Sequence, residues 1–115
     1  IRGDGSHLEQ VFVNILTNAI HSIDNDGHLK ISTCNNGEQI KVAISDTGCG
    51  IPKEHLSKIF DPFFTTKEVG KGTGLGLFIS YGIIQKHNGT IRVKSDIDKG
   101  TSFIIQFPKL EDYER

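Results

Sequence analysis

The fold is decided by the stretch Ser45-Asp46-Thr47-Gly48-Cys49-Gly50-Ile51-Pro52. It follows the strand-like run at residues 40–44, and its two glycines and its proline end that strand. The carboxylate of Asp46 can accept a hydrogen bond from an amine of a ligand, and the glycines let that ligand lie against bare backbone. The same residues are also typical of an ordinary turn. The functional interpretation therefore depends on the segments on either side.

Composition indicates one globular domain. The chain has 115 residues, enough for a real core, and its 13 basic and 14 acidic residues nearly balance. That balance gives no sign of a nucleic-acid or membrane-surface partner. Two cysteines, Cys34 and Cys49, are too few for a disulfide framework or a metal cage, so free thiols in a reducing cytoplasm are expected. No apolar run approaches the roughly 20 residues that a membrane span needs.

A helix is predicted over residues 6–23, where Ser6 and Glu9 fit a capping box. Its polar stripe is unusual because Asn14 and Asn18 lie one turn apart, and Asn is a poor helix former. These amides are candidate ligands for an ion or a bound molecule; a merely polar surface face is the alternative. The core-facing stripe is predicted from the 3, 4, 7, 8 spacing of Leu8, Val11, Phe12, Ile15, Leu16, Ala19, Ile20 and Ile23.

Four strands and a short helix are predicted in the rest of the chain. Residues 28–34 and 39–45 alternate in polarity around an Asn-Gly turn, which indicates a hairpin. Residues 90–95 and 101–107 are predicted as two further strands, separated by residues 96–100. Between the two pairs, a proline opens a short helix predicted over residues 52–58.

Residues 59–73 have no helical or strand period. Three phenylalanines stand near one end and a glycine cluster at the other, which suits a lid over a ligand. Lys67 and Lys71 are candidate phosphate contacts, and two simply solvated lysines are the alternative.

A second helix, predicted over residues 75–87, follows the glycine cluster directly. Backbone N–H groups at a helix start can bind an anion. Neither the dinucleotide-binding motif nor the P-loop motif matches these glycines, so by themselves they are not specific. The residues expected to face inward from this helix are Leu77, Phe78, Tyr81, Ile83 and Ile84.

Together these segments resemble the catalytic, ATP-binding domain of bacterial sensor histidine kinases, in the ATPase superfamily that also holds gyrase B, Hsp90 and MutL. The resemblance runs from about Asp4 to Phe107, and residues 18–23 most resemble the nitrogen-regulation-like kinases. It implies an α+β fold of the Bergerat type: a two-layer α/β sandwich with a mixed sheet, helices on one face and a lid loop. Five motifs occur in family order: an N box at 8–23, a G1 box at 46–50, an F box at 60–64, a G2 box at 72–77 and a Gly-Thr-Ser-Phe run at 100–103.

The resemblance also implies roles for single residues. Asp46 would bind the adenine amino group with Thr101 nearby, and Asn18 would hold Mg²⁺ against the phosphates of ATP. Asn14, which stands where gyrase-type relatives carry a water-activating glutamate, and Lys67, which would reach a phosphate from the lid, are the implied catalytic residues. The other implied nucleotide contacts are His21, Gly48, Gly50, Ile51, Gly72, Thr73, Gly74, Leu75, Gly76 and Leu77.

The implied activity is transfer of the γ-phosphoryl group of Mg·ATP to a histidine on a separate dimerisation and phosphoacceptor domain in two-component signalling. A response-regulator receiver domain would be an indirect partner. A gyrase-, Hsp90- or MutL-type ATPase module, an anti-sigma-type serine kinase and a module with an inactive site stay open as alternatives.

Residues 1–108 are expected to form this domain and residues 109–115 a charged tail. Since the chain begins at Ile1, we expect it to be excised from a longer protein. The isolated domain is expected to be cytoplasmic and monomeric, and to contact neither nucleic acid nor a membrane.

Overall fold

The computed structural model describes residues 5–23, 27–35, 37–64 and 76–108. Each predicted helix and strand is found there, with its ends shifted by at most two residues. The short helix after Pro52 ends at Leu56 rather than at residue 58, because the backbone turns from Ser57 onward. None of the helices described has the length and apolar character that a bilayer span requires. In chain order the elements are α1 (Gly5–Ser22), β1 (Leu29–Asn35), β2 (Gln39–Asp46), α2 (Lys53–Leu56), α3 (Gly76–Lys86), β3 (Thr90–Asp96) and β4 (Gly100–Pro108).

The four strands form one sheet in the order β1-β2-β4-β3. Each neighbouring pair is antiparallel. The expectation of a mixed sheet is therefore wrong for the strands that the structure describes. For two of the three pairs the reason is connectivity: β1–β2 and β3–β4 are joined by short turns, which require antiparallel pairing. The two-layer α+β architecture itself is confirmed, because α1 and α3 cover one face of this sheet.

The core lies between that face of the sheet and the two helices. Ile15 of α1, Ile84 of α3 and Ile105 of β4 are all fully buried. Burying such a side chain contributes on the order of 1.5–3 kcal/mol. The other buried members of the cluster are Val11, Ile44, Ile59, Ile83, Phe103 and Phe107.

The inward face of α3 differs from the one predicted. Phe78 is 45% exposed and Tyr81 is 38% exposed, whereas Ser80 is completely buried. The difference arises because α3 packs against α1 as well as the sheet, and the small Ser80 fits the approach between the two helices. Apolar residues surround α3 on several sides, so their spacing alone does not select one face. On α1 the predicted stripe holds except at Ile20, which is 57% exposed.

Candidate functional site

A row of polar side chains ends the otherwise apolar face of the sheet. Asp46 pairs with Thr101 across β2 and β4, and Thr101 pairs with Ser95 across β4 and β3. Directly opposite residues in antiparallel strands point to the same face, so the three side chains lie side by side. Only 7% of Asp46 and 6% of Thr101 are exposed. Burying a carboxylate without hydrogen-bond partners costs free energy. A ligand that donates a hydrogen bond to this row would therefore be stabilised there.

The Asp46 carboxylate is oriented by the turn that follows it. One of its oxygens accepts a hydrogen bond of 2.8 Å from the backbone N–H of Gly48. The other oxygen has no hydrogen-bond partner among the described residues. An ionised carboxylate has lone pairs for about four hydrogen bonds. The turn therefore fixes Asp46 and leaves it able to accept a hydrogen bond from a ligand.

The glycines around Cys49 are required by close contacts between backbones. A Cβ on Gly48 would overlap the carbonyl oxygen of Ser22 at the end of α1, and the N–H of Cys49 donates to that same oxygen at 3.2 Å. Gly50 has a φ of +78°, and a Cβ there would overlap the carbonyl oxygen of Asp96. From the sequence, these glycines are expected to end the strand and to let a ligand approach the backbone. The structure adds that they also let the turn fit between α1 and the β3–β4 turn.

The amide stripe of α1 meets the start of α3. The side-chain nitrogen of Asn14 donates to the carbonyl oxygen of Gly76 and to the hydroxyl of Ser80, both at 3.2 Å. Ser80 in turn donates to Gly76 at 2.9 Å. Asn14 thus joins the N box to the last part of the G2 box. Asn18 is half-buried one turn further along α1. It lies toward the end of α1 that contacts the turn of the G1 box at residues 46–50, here called the G1 turn.

The remaining predicted site residues fall into two groups. Among those described, His21 is exposed on α1, Ile51 donates its N–H to Ser95, and Leu77 packs against the core. The others lie outside the described residues: Lys67, Gly72, Thr73, Gly74 and Leu75.

The F box is anchored by two of its three rings. The Phe60 ring lies 5.3 Å from that of Tyr81 on α3, and the Phe64 ring meets His55 edge-on at 5.3 Å. Phe63 is 72% exposed and has a positive φ of 67°. The start of the predicted lid segment is therefore fixed against α2 and α3.

Sequence reasoning missed two residues of this region, Ser80 and Ser95. Both continue an apolar pattern with a small hydroxyl: Ser95 follows Ile91 and Val93 on the core face of β3. A polar residue at an inward position of a strand, opposite a second polar residue, is the signal that would have identified Ser95. Recognising it requires the β3–β4 register.

The donor set bears on which metal the site can hold. Among the residues described there is no group of three or more His, Cys, Asp or Glu side chains that could enclose an ion. Mg²⁺ commonly keeps several waters and binds few protein ligands together with substrate phosphates. The amide stripe fits a cation of that kind, held jointly with a phosphorylated ligand.

Comparison with known proteins identifies relatives over nearly the whole chain. Residues 3–111 match the model of the family described as histidine kinase-, DNA gyrase B-, and HSP90-like ATPase. Sporulation kinase A of Bacillus subtilis (strain 168) is 45% identical over 109 residues, covering 95% of this chain and 18% of that protein. Sensor histidine kinase ZraS of Escherichia coli (strain K12) is 39% identical over 108 residues, covering 94% of this chain and 23% of that protein. The chain thus spans about a fifth of the length of these curated relatives.

Solved structures give the same result. The catalytic domain of histidine kinase ThkA superimposes with a TM-score of 0.82 at 38% identity, covering 93% of this chain and 70% of that one. The mycobacterial sensor histidine kinase MprB superimposes with a TM-score of 0.85 at 29% identity, covering 94% of this chain and 76% of that one.

Proposed function

Because this chain belongs to the histidine kinase-, DNA gyrase B- and HSP90-like ATPase family, we propose that it binds Mg·ATP and supplies the γ-phosphoryl group to a histidine on a separate dimerisation and phosphoacceptor domain. It is an ATPase domain of the type found in sensor histidine kinases. Our proposal adds three points to this family assignment: where the nucleotide binds, that Mg²⁺ binds with it, and that the phosphoryl group goes to a separate domain.

The observation that carries the proposal is the state of Asp46. It is buried, it is held by the N–H of Gly48, and it keeps one oxygen without a partner among the described residues. An acceptor held rigidly at the end of a core is suited to the exocyclic amine of adenine. Guanine presents a carbonyl at the same ring position, and two acceptors facing each other lose a hydrogen bond. The expected ligand is therefore an adenine nucleotide.

The phosphates are assigned to the space between the amide stripe of α1 and the start of α3. Asn14 already binds the first turn of α3 through Gly76, so an anion near that helix start would also lie near Asn18. Asn18 would hold Mg²⁺, whose chemistry is to neutralise charge on the phosphates. In phosphoryl transfer the protein mainly aligns the reactants and stabilises charge. Lys67 would contribute a phosphate contact from the lid segment.

Asn14 favours transfer to an acceptor over hydrolysis. Its amide donates to Gly76 and Ser80, and an amide cannot take a proton from water as a glutamate does. This distinguishes the proposal from a gyrase-type ATPase.

The acceptor histidine is assigned to another domain because none of those in this chain fits. No histidine here is followed by the E-x-x-x-P pattern that is typical of the acceptor in sensor kinases. The five histidines are His7, His21, His28, His55 and His87.

The experiment supplies this chain with γ-labelled ATP, Mg²⁺ and the phosphoacceptor domain of its parent kinase as a separate protein. Label is expected on the acceptor and not on this chain, and replacing the acceptor histidine should abolish it. Asp46→Asn should remove most transfer, whereas Glu54→Gln, the same change at an exposed carboxylate of α2, should not. Stable label on this chain alone, or equal transfer from ATP and GTP, would contradict the proposal.

A further inference from the structure

We propose that Ser95 is a positioning residue that determines which purine the site accepts, by fixing the direction of the Thr101 hydroxyl proton. The inference rests on the proposed nucleotide site and adds a specificity determinant to it. Ser95 lies half-buried on β3, next to Thr101 in the polar row. Asp46 lies on the far side of Thr101, so Ser95 would act on the ligand only through its neighbour.

The hydrogen bonds of Ser95 use the full capacity of a hydroxyl group. Its oxygen lies 2.7 Å from the backbone nitrogen of Ile51, 3.0 Å from the carbonyl oxygen of Gly100 and 2.8 Å from the hydroxyl oxygen of Thr101. A serine hydroxyl has one proton to donate and two lone pairs to accept with. The Ile51 N–H can only donate to it, and the Gly100 carbonyl can only accept its proton. The contact with Thr101 is then satisfied in one way, with Thr101 donating to Ser95.

The consequence for the pocket is a change in the character of Thr101. Once its proton is directed at Ser95, its oxygen presents only lone pairs elsewhere. Asp46, directly opposite on β2, likewise presents a carboxylate. Two neighbouring acceptors match an amine with two N–H groups and disfavour a carbonyl oxygen. Discrimination between a 6-amino and a 6-oxo purine is therefore shared between Asp46 and Thr101.

Contacts other than those of Ser95 hold the surrounding backbone. The N–H of Asp98 donates to the carbonyl oxygen of Cys49 at 2.8 Å, which joins the β3–β4 turn to the G1 turn. Gly100 lies so close to the backbone of Asp46 that a Cβ there would overlap its carbonyl oxygen. Removing the Ser95 hydroxyl should therefore leave the strands in place. It should also free Thr101 to rotate and donate its proton into the pocket.

The test compares ATP with inosine triphosphate, which carries a 6-oxo group and lacks the 2-amino group of GTP. Dissociation constants of both nucleotides are measured for the parent chain, Ser95→Ala, Thr101→Val and the double variant. The parent should prefer ATP, and Ser95→Ala should lower that preference by at least about fivefold, the low end of the effect of one unmet hydrogen bond. Since Ser95 acts through Thr101, adding Ser95→Ala to Thr101→Val should change the preference no further.

Two further variants separate positioning from stability. Ser95→Thr keeps a hydroxyl and should keep the preference for ATP. Ser102→Ala removes a hydroxyl from the next position of β4, where it pairs with that of Ser45 at 2.8 Å on the opposite face of the sheet. It should leave the preference unchanged. Thermal melting identifies any variant that does not fold, and Ser95→Cys, with a similar volume and a weak hydrogen-bonding group, replaces Ser95→Ala in that case.

The outcomes distinguish this inference from the function on which it rests. A parent chain that binds neither nucleotide overturns the nucleotide site and this inference together. A parent chain that binds both equally overturns the contact of Asp46 with the adenine amine, and this inference with it. A parent that prefers ATP, with a Ser95→Ala variant of the same preference, overturns the role of Ser95 alone. Loss of affinity for both nucleotides in equal proportion would make Ser95 purely structural and would also overturn it.

Discussion

Replacing Asp46 by asparagine should reverse the hydrogen-bonding character of one atom and disturb little else. In the parent chain the Gly48 N–H donates to the Asp46 carboxylate at 2.8 Å. The side-chain oxygen of asparagine can still accept this hydrogen bond. The amide nitrogen then takes the place of the second carboxylate oxygen, and a donor faces the adenine amine. Because only 7% of Asp46 is exposed, solvent cannot restore the lost interaction fully.

The size of the effect follows from the charged hydrogen bond that is lost. Such bonds contribute about 1.5–3 kcal/mol, so ATP should bind roughly ten- to hundredfold more weakly. GTP, whose carbonyl can accept from the new amide, should lose less, and the preference for ATP should narrow or invert. The bond to Gly48 loses only its charge assistance, worth about 1 kcal/mol. The melting temperature should fall by only a few degrees.

The assay is calorimetric titration of ATP and GTP into the parent, Asp46→Asn and Glu54→Gln, with a thermal melt of each protein. Glu54→Gln makes the same change of charge at an exposed carboxylate of α2, so it reports any general electrostatic effect on nucleotide binding. A lower melting temperature in Asp46→Asn with unchanged ATP and GTP affinity would show that Asp46 only stabilises the turn. That result would refute the reasoning.

Three more predictions address the metal, the turn and the lid. Asn18→Ala should stay folded, since Ala is the better helix former, but it should lose Mg²⁺-dependent ATP affinity and phosphotransfer. The control is Gln10→Ala, which removes an amide two turns earlier on α1. Phosphotransfer by Asn18→Ala at near the parental rate would contradict the metal assignment. Gly50→Ala should cost more free energy of unfolding than Gly37→Ala, because both have positive φ but only Gly50 also meets a backbone oxygen; equal losses in chemical denaturation would contradict the steric argument. Hydrogen exchange across residues 60–73 should slow when an ATP analogue and Mg²⁺ are added, and equal protection with and without ligand would indicate a fixed loop.

The sequence predicted most of the fold because its signals are local. The 3, 4, 7, 8 spacing located α1 to within one residue at each end, whereas Ser6 of the predicted capping box lies inside the helix, which begins at Gly5. The Asn-Gly turn located the β1–β2 hairpin. The prediction of the inward face of α3 was partly wrong, since Phe78 and Tyr81 are exposed. A helix with apolar residues on several sides has no single face that periodicity can select.

The candidate site divides in the same way. Asn14 and Asn18 stood out from the sequence because asparagine is unusual inside a helix. Asp46 stood out because an amide-rich helix precedes its turn and a second glycine cluster follows it. Ser95 did not, because a serine at the end of a strand is ordinary until its partners are known. One partner, Ile51, follows the G1 box and lies 44 positions from Ser95 along the chain. Another, Thr101, lies on β4, across the β3–β4 hairpin.

By itself, the sequence determined where each helix and strand forms and which residues are chemically unusual, since both depend on neighbours within a few positions of the chain. Tertiary structure alone decided that Asp46, Thr101 and Ser95 form one row, and that Asn14 meets Gly76 across 62 positions of the chain. Strand register and helix packing are set by the simultaneous burial of many side chains, and a shift of one residue turns every side chain of a strand to the other face. The direction of the Thr101 proton depends on that register, because only the folded sheet brings a donor, an acceptor and a second hydroxyl around Ser95.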